Sequence, residues 1–445
     1  MKKQILILFI MLTCISATMI SQGSFTFQTI TDKGLFDHVS DRFGNECPLI
    51  NISLNAARPG SNSSYSTSST PTNICNAGYF DLYFAAGSYF DSNPTAANIL
   101  CEIFKNMSGF INSPLSLSTN TLNRINIYCS NNPGTAPAGA AGSASGFYIY
   151  PYGPVNPNGG IIDNQIQKAL ISGQDPFSNL PTGIFLGANN FYSGYVTVNP
   201  TFSWHLNMYN TSVSSGDIDF YTTFLHEVTH ALGFSSLINY NGNSQFGSTN
   251  NYFGRYDLFL KNSAGSPLIS GPSSACNTSS LSFQVLTSAI SPSACTGSGL
   301  DVTTCSVAAQ YSSTNVQSAV YTPLCWEQGS SLSHFEDMCS YGSFTTSCVP
   351  SPTSPGYNNL YYVMSNGIDP GSCYIKRHLT AEERYVLCDL GYSVNTTYTS
   401  SAASASINYG GSTCTGINVW GTNDGLLANA YTYTTINSTY TMLTS

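Results

Sequence analysis

An α+β fold is predicted for this chain on three observations. Runs of alternating apolar residues and runs of helical period are interleaved between residues 77 and 236. A further helical pattern follows near residues 377–392, far from the earlier ones. The 445-residue chain is 42% hydrophobic, ample for a core on which sheet and helices can pack.

The elements follow in order. "FDLYFAAG" (80–87) reads as a strand, "TAANILCEIFKNMSGFI" (95–111) as a helix, and "RINIYC" (124–129) and "SGFYIYP" (145–151) as strands. "IIDNQIQKALISG" (161–173) reads as a helix closing on Gly173, and "GIFLG", "GYVTV" and "SWHLNMY" as further strands. From 237 to 333 the pattern dissolves into Ser, Asn, Gly and Thr apart from "YDLFLK". A stretch of that length is read as a functional insertion held by disulfides. In "RHLTAEERYVLCDLGY" Thr380 can cap a helix ahead of Glu383.

The flanks are of another kind. Two lysines and an apolar run from Ile5 to about Ile15 predict a signal peptide over 1–20, and so an exported chain. Residues 21–76 form a polar segment, a propeptide candidate ending in the linker-like "RPGSNSSYSTSSTPTN". Residues 396–445 are rich in Ser, Thr and Tyr and suggest a small β module. No later run is long and apolar enough for a membrane anchor. With 13 Lys and Arg against 22 Asp and Glu, nucleic acid is not an expected partner.

Export makes disulfides the expected state of the cysteines. They fall into an early group (Cys47, Cys75, Cys101, Cys129) and an even late group from Cys276 to Cys388, with Cys414 left over. Sequons at Asn51, Asn62, Asn106, Asn210, Asn277, Asn395 and Asn437 are candidate glycosylation sites.

The chemistry concentrates in "FYTTFLHEVTHALGFSS" (220–236). Tyr221, Phe224, Leu225, Val228 and Leu232 make an apolar helical stripe, with Asp217 or Ser215 as candidate caps and Gly233 as a left-handed stop. One turn apart on another face, His226 and His230 can bind one ion. Glu227, about 100° round the helix, is placed to serve as a base beside it. A catalytic zinc needs a third ligand, for which His38, His205, His334, His378, Glu382 and Glu383 are candidates.

"HEVTHALGF" (226–234) resembles the core motif of the metzincin zinc endopeptidases, and "GSSLSHFED" (329–337), after the insertion, resembles the late third-ligand segment of their leishmanolysin-like branch. The resemblance implies a metzincin-type catalytic domain over 77–236 and 334–395, a twisted mixed sheet with an active-site helix. It implies one Zn2+ per chain on His226, His230 and His334, with Glu227 as general base and protein or peptide substrates. Gly233 becomes the turn that lets the third histidine approach, and Met364 in "YYVMSNGIDPG", preferred to Met338, the methionine turn. "SWHLNMYN" becomes the sheet-edge strand that pairs with substrate. Two other readings remain: a gluzincin protease with Glu382 or Glu383 as third ligand, and a secreted adhesin on the same fold without turnover.

Overall fold

The computed structural model describes residues 71–115, 125–132, 140–152, 159–173, 192–209, 212–239, 242–245, 251–270, 309–323, 326–327, 329–336, 362–368, 370–371 and 375–394, and the backbone of short strand pairs elsewhere. Outside the described side chains lie residues 1–20, read as a signal peptide, His38, Cys47, Met338, every cysteine of residues 237–333 and every sequon but Asn106.

The architecture is α+β, built on an open five-stranded sheet. Its strands are β1 (Pro71–Ala77), β2 (Phe80–Ala85), β3 (Ile125–Asn131), β4 (Gly142–Gly146) and β5 (Gly194–Val198). They lie in the order β4-β5-β3-β2-β1. The three central strands run parallel, and both edge strands run antiparallel to their neighbours. Strand β1 begins inside the stretch read as a linker.

Helix α1 (Pro94–Phe110) joins β2 to β3, giving the long connection that a parallel pair requires. Phe80, Leu82 and Phe84 of β2, Ile125 and Ile127 of β3 and Val196 and Val198 of β5 alternate into one core with Ile99, Ile103 and Phe104 of α1. The intervening residues Tyr83, Tyr128 and Tyr195 form an aromatic cluster with Phe147 and Tyr192. Helix α2 (Gln165–Ser172) ends on Gly173, as read from the sequence, and is capped by Asn164. It starts four residues later than its apolar pattern, because Gly159–Ile161 is a strand.

Strand β4, "GSASG", carries no β-branched or aromatic residue, and propensity alone does not mark it as a strand. Its small residues instead serve close packing. A Cβ on Gly142 would lie 3.1 Å from the Phe224 ring, and one on Gly146 would lie 2.5 Å from Asn164. The active-motif helix α3 (Phe220–Ala231) therefore comes to rest directly on β4.

The described part of the insertion is ordered, contrary to the irregular reading. Strands β6 (Leu260–Asn262), β7 (Ala309–Ser312) and β8 (Gln317–Ala319) form an antiparallel sheet. Tyr256, Phe259 and Tyr311 carry it into the main core through Phe335. Tyr256 and Phe259 belong to "YDLFLK", the one patterned run of the stretch, whereas Tyr311 stands alone among polar residues, where no window of fixed period reveals it. Helix α4 (Ala381–Asp389) has the capping box expected of Thr380 and Glu383. The chain then pairs Ser393–Val394 with Ile111–Asn112, and the Tyr392 hydroxyl donates to Leu232 O at 2.8 Å.

Two expectations are corrected. Cys75 and Cys101 are bridged, whereas Cys129 is a free thiol buried on the core side of the central strand β3. There it packs as a small apolar residue. Asn106 is 4% exposed, and its Nδ2 donates to the Tyr221 hydroxyl at 2.7 Å, so the folded chain does not present this sequon. Among the described residues no helix is long and apolar enough to cross a membrane.

Candidate metal centre

Helix α3 starts later than the candidate caps Ser215 and Asp217 suggest. Pairing of Trp204–His205 with Ile218–Asp219 keeps the chain extended up to Asp219, and Asp219 is the cap, accepting from Thr222 N at 2.8 Å. Asp217 instead accepts from the Ser203 hydroxyl. The expected stripe of Tyr221, Phe224, Leu225, Val228 and Leu232 lies in the core, but the helix is buried on its other faces too: Phe220, outside that stripe, has its ring 4.3 Å from that of Phe224 and contacts Trp204.

The structure brings together the three histidines that the resemblance singled out. The Nε2 atoms of His226 and His230 are 2.9 Å apart, and each is 3.1 Å from His334 Nε2. Each Nδ1 faces a backbone carbonyl: Val363 O at 2.6 Å from His226, Phe234 O at 2.6 Å from His230 and Ser330 O at 2.8 Å from His334. A carbonyl only accepts, so each Nδ1 carries the proton and each neutral ring aims the Nε2 lone pair at the other two.

Charge state favours this arrangement. Burial lowers the pKa of His226 and His230 well below the ordinary value, helped by His334 at His226 and by His226 and His334 at His230. Burial brings His334 down to about 4. Three converging lone pairs without a proton repel, and a cation among them removes that repulsion. Two zinc–nitrogen bonds of roughly 2.0–2.1 Å at a tetrahedral angle hold their nitrogens about 3.3–3.4 Å apart, a few tenths of an ångström wider than found here. The three histidines could therefore hold a metal ion.

Glu227, the residue after His226 on α3, is fully buried. Its Oε2 accepts from Ala144 N of β4 at 3.2 Å, whereas its Oε1 has no hydrogen-bond partner. Burial raises this carboxyl to about 8, opposed by the Ala144 N–H. A cation at the histidines would act in the same direction as that N–H.

Gly233 has φ +92°, and a Cβ there would lie 2.5 Å from Gln167 Cδ. Gly233→Ala is expected to destabilise the protein by about 1–3 kcal/mol, read from urea unfolding. A loss under about 0.5 kcal/mol would show that the turn accepts a side chain. Ser236 is no ligand: its hydroxyl donates to Asp257 Oδ1 at 2.6 Å. Met364 is buried, and its carbonyl accepts from Phe335 N at 2.8 Å, one residue beyond the third histidine.

The other candidates among the described residues lie apart from the group, and His38 lies outside those residues. His205 Nε2 is 3.1 Å from Asn207 O, and His378 sits near Arg384 and Lys376. Glu382 binds the Tyr362 hydroxyl, and Glu383 accepts from Met364 N and Thr380 N.

Sequence reasoning missed Arg377. Its guanidinium meets Asp219 through two hydrogen bonds of 2.6 and 2.9 Å, donates to Met208 O and lies 5.1 Å from the Tyr221 ring centroid. Asp219 is 2% exposed and Arg377 7%. Arg377→Ala strands a buried carboxylate at the start of α3, with an expected cost of about 3–5 kcal/mol by chemical denaturation. A loss below about 1 kcal/mol would mean that water reaches the pair. Neither the cap role of Asp219 nor its partner 158 residues away was read from the sequence, since nothing local marks a contact over that distance.

Comparison of the chain with protein-family models, with curated proteins and with solved structures finds no match.

Proposed function

We propose that the protein is a secreted zinc-dependent endopeptidase with a metzincin-type catalytic domain. The observation that carries the reading is the unpaired Oε1 of a buried glutamate beside three converging neutral imidazoles. A structural zinc site is closed by four protein ligands and has no use for a carboxylate alongside. A three-histidine set with an open position and an adjacent base is the catalytic arrangement.

Bound to His226, His230 and His334, zinc would supply Lewis acidity and lower the pKa of a water at its open position. The work of the chain's own residues follows from their placement. With the metal bound, Glu227 Oε1 would serve as the general base, taking a proton from the attacking water and returning it to the departing amine. Ala144 N–H holds the other oxygen, so the carboxylate does not rotate away. The backbone carbonyls of Val363, Phe234 and Ser330 fix the three imidazole tautomers.

Strand β4 replaces "SWHLNMYN" as the place where an extended substrate adds to the sheet. It is the edge of the main sheet next to α3, whereas Trp204–His205 pairs with the two residues leading into that helix. Export is supported by the N-terminal sequence and by the Cys75–Cys101 bridge, since disulfides persist in oxidising compartments.

The test is metal content and casein cleavage measured together on the purified exported protein. One zinc per chain, with cleavage lost to a chelator and restored by added zinc, is the expected result. Zinc without cleavage would favour the binding-protein reading, and the absence of any bound metal would remove the enzyme reading altogether.

A further inference from the structure

We propose that Glu383, which touches none of the histidines, is a positioning residue of the metal centre. The inference rests on the reading of His226, His230 and His334 as metal ligands, and concerns what holds them in register.

The segment Val363–Met364 carries both halves of the histidine set. Val363 O accepts from His226 Nδ1 at 2.6 Å, on the helix side. Met364 O accepts from Phe335 N at 2.8 Å, next to His334 on the loop side. Whatever fixes this dipeptide fixes the separation of the two ligands.

Glu383 does so from behind. Its Oε1 accepts from Met364 N at 2.6 Å, and its Oε2 accepts from Thr380 N at 2.7 Å at the start of α4. A capping box requires only one of these contacts. The carboxylate is nevertheless wholly buried, an environment that helix caps do not need and that is costly without full hydrogen bonding. The neighbouring Glu382 is exposed and cannot substitute. The loop also contains Leu332 at φ +66°, a conformation that a branched side chain keeps only when its surroundings enforce it. Three residues on, the Met364–Phe335 bond is part of that enforcement.

Glu383→Gln tests the idea, because an amide offers one acceptor where two N–H groups converge. Its NH2 must face either Met364 N or Thr380 N. Cobalt(II) serves as the probe, since its visible spectrum reports the ligand field without any substrate. The expected result is a changed cobalt spectrum and a 10–100-fold weaker cobalt affinity, the range for residues that orient ligands. Thr380→Ala is the control: it weakens the same cap but leaves the Glu383–Met364 contact, and should keep the wild-type spectrum and an affinity within about twofold. If the Gln variant does not fold, Glu383→Asp replaces it; one methylene shorter, it cannot span both N–H groups and should weaken cobalt in the same way.

A wild-type spectrum and affinity in a folded Glu383 variant would reduce the residue to a helix cap and overturn the proposal. Equal loss of cobalt in Thr380→Ala would do the same, by showing that helix stability alone matters. Failure of the wild-type protein to bind cobalt would overturn both the metal reading and this inference, and is distinguishable because it appears before any variant is compared.

Discussion

Glu227→Gln is expected to lower peptide hydrolysis by a factor of at least about 10²–10⁴, the contribution typical of a positioned acid–base group, while leaving zinc content unchanged. The substitution is close to isosteric. The amide oxygen can keep the Ala144 N–H contact, which places the NH2 where Oε1 has no partner. An amide cannot accept the proton of water at neutral pH, so the chemistry is lost and the geometry remains. The unfolding temperature should be no lower than that of the wild type, because a neutral amide costs less to bury than a carboxylate. Hydrolysis within about threefold of the wild type would remove Glu227 from the reaction and with it the proposed mechanism.

His334→Ala is expected to abolish stoichiometric zinc binding and therefore hydrolysis, with an affinity loss beyond the roughly 10–100-fold seen when only an orienting partner is removed. Two nitrogens 2.9 Å apart on one helix would remain, too few for a closed coordination shell. The backbone role of the residue survives the change, since it is His334 O that accepts from Tyr321 N. The apo protein should thus stay folded. The wild type should gain thermal stability on adding zinc, about 4 kcal/mol at a thousandfold excess over Kd, and the variant should gain none. Full zinc retention in the variant would place the third ligand elsewhere, although among the described residues no other histidine, cysteine or carboxylate joins the group.

The two predictions differ in how far they can be derived from the chain alone. Glu227, His226 and His230 lie within five residues on one helical turn, and Gly233 stops that helix where the spacing says it should. Local geometry determines such a constellation, because a helix sets the relative directions of residues four apart whatever surrounds it. The same holds for the caps of α2 and α4 and for the alternating strands β2, β3 and β5. Each of these is a short-range pattern with a short-range cause.

Contacts that join distant parts of the chain were not legible in the same way. His334 stood among several candidate ligands until a resemblance selected it, and its approach to His230 spans 104 residues. Strand β4 was missed because what makes it a strand is a helix that needs small residues beneath it, not its own propensity. Cys129 looked like a disulfide partner from compartment and count, but its place on the core face of β3 leaves it a thiol. Glu383 read as a possible ligand and is a backbone anchor; Arg377 gave no sign at all before Asp219 was seen against it. The sequence by itself determined the active-motif helix and the alternation of strands and helices, because hydrogen bonding and side-chain direction within one element depend only on neighbours. Tertiary structure decided the third histidine, the strand over the helix and the two buried carboxylate anchors, because burial and orientation there depend on elements that meet only after the chain has closed on itself.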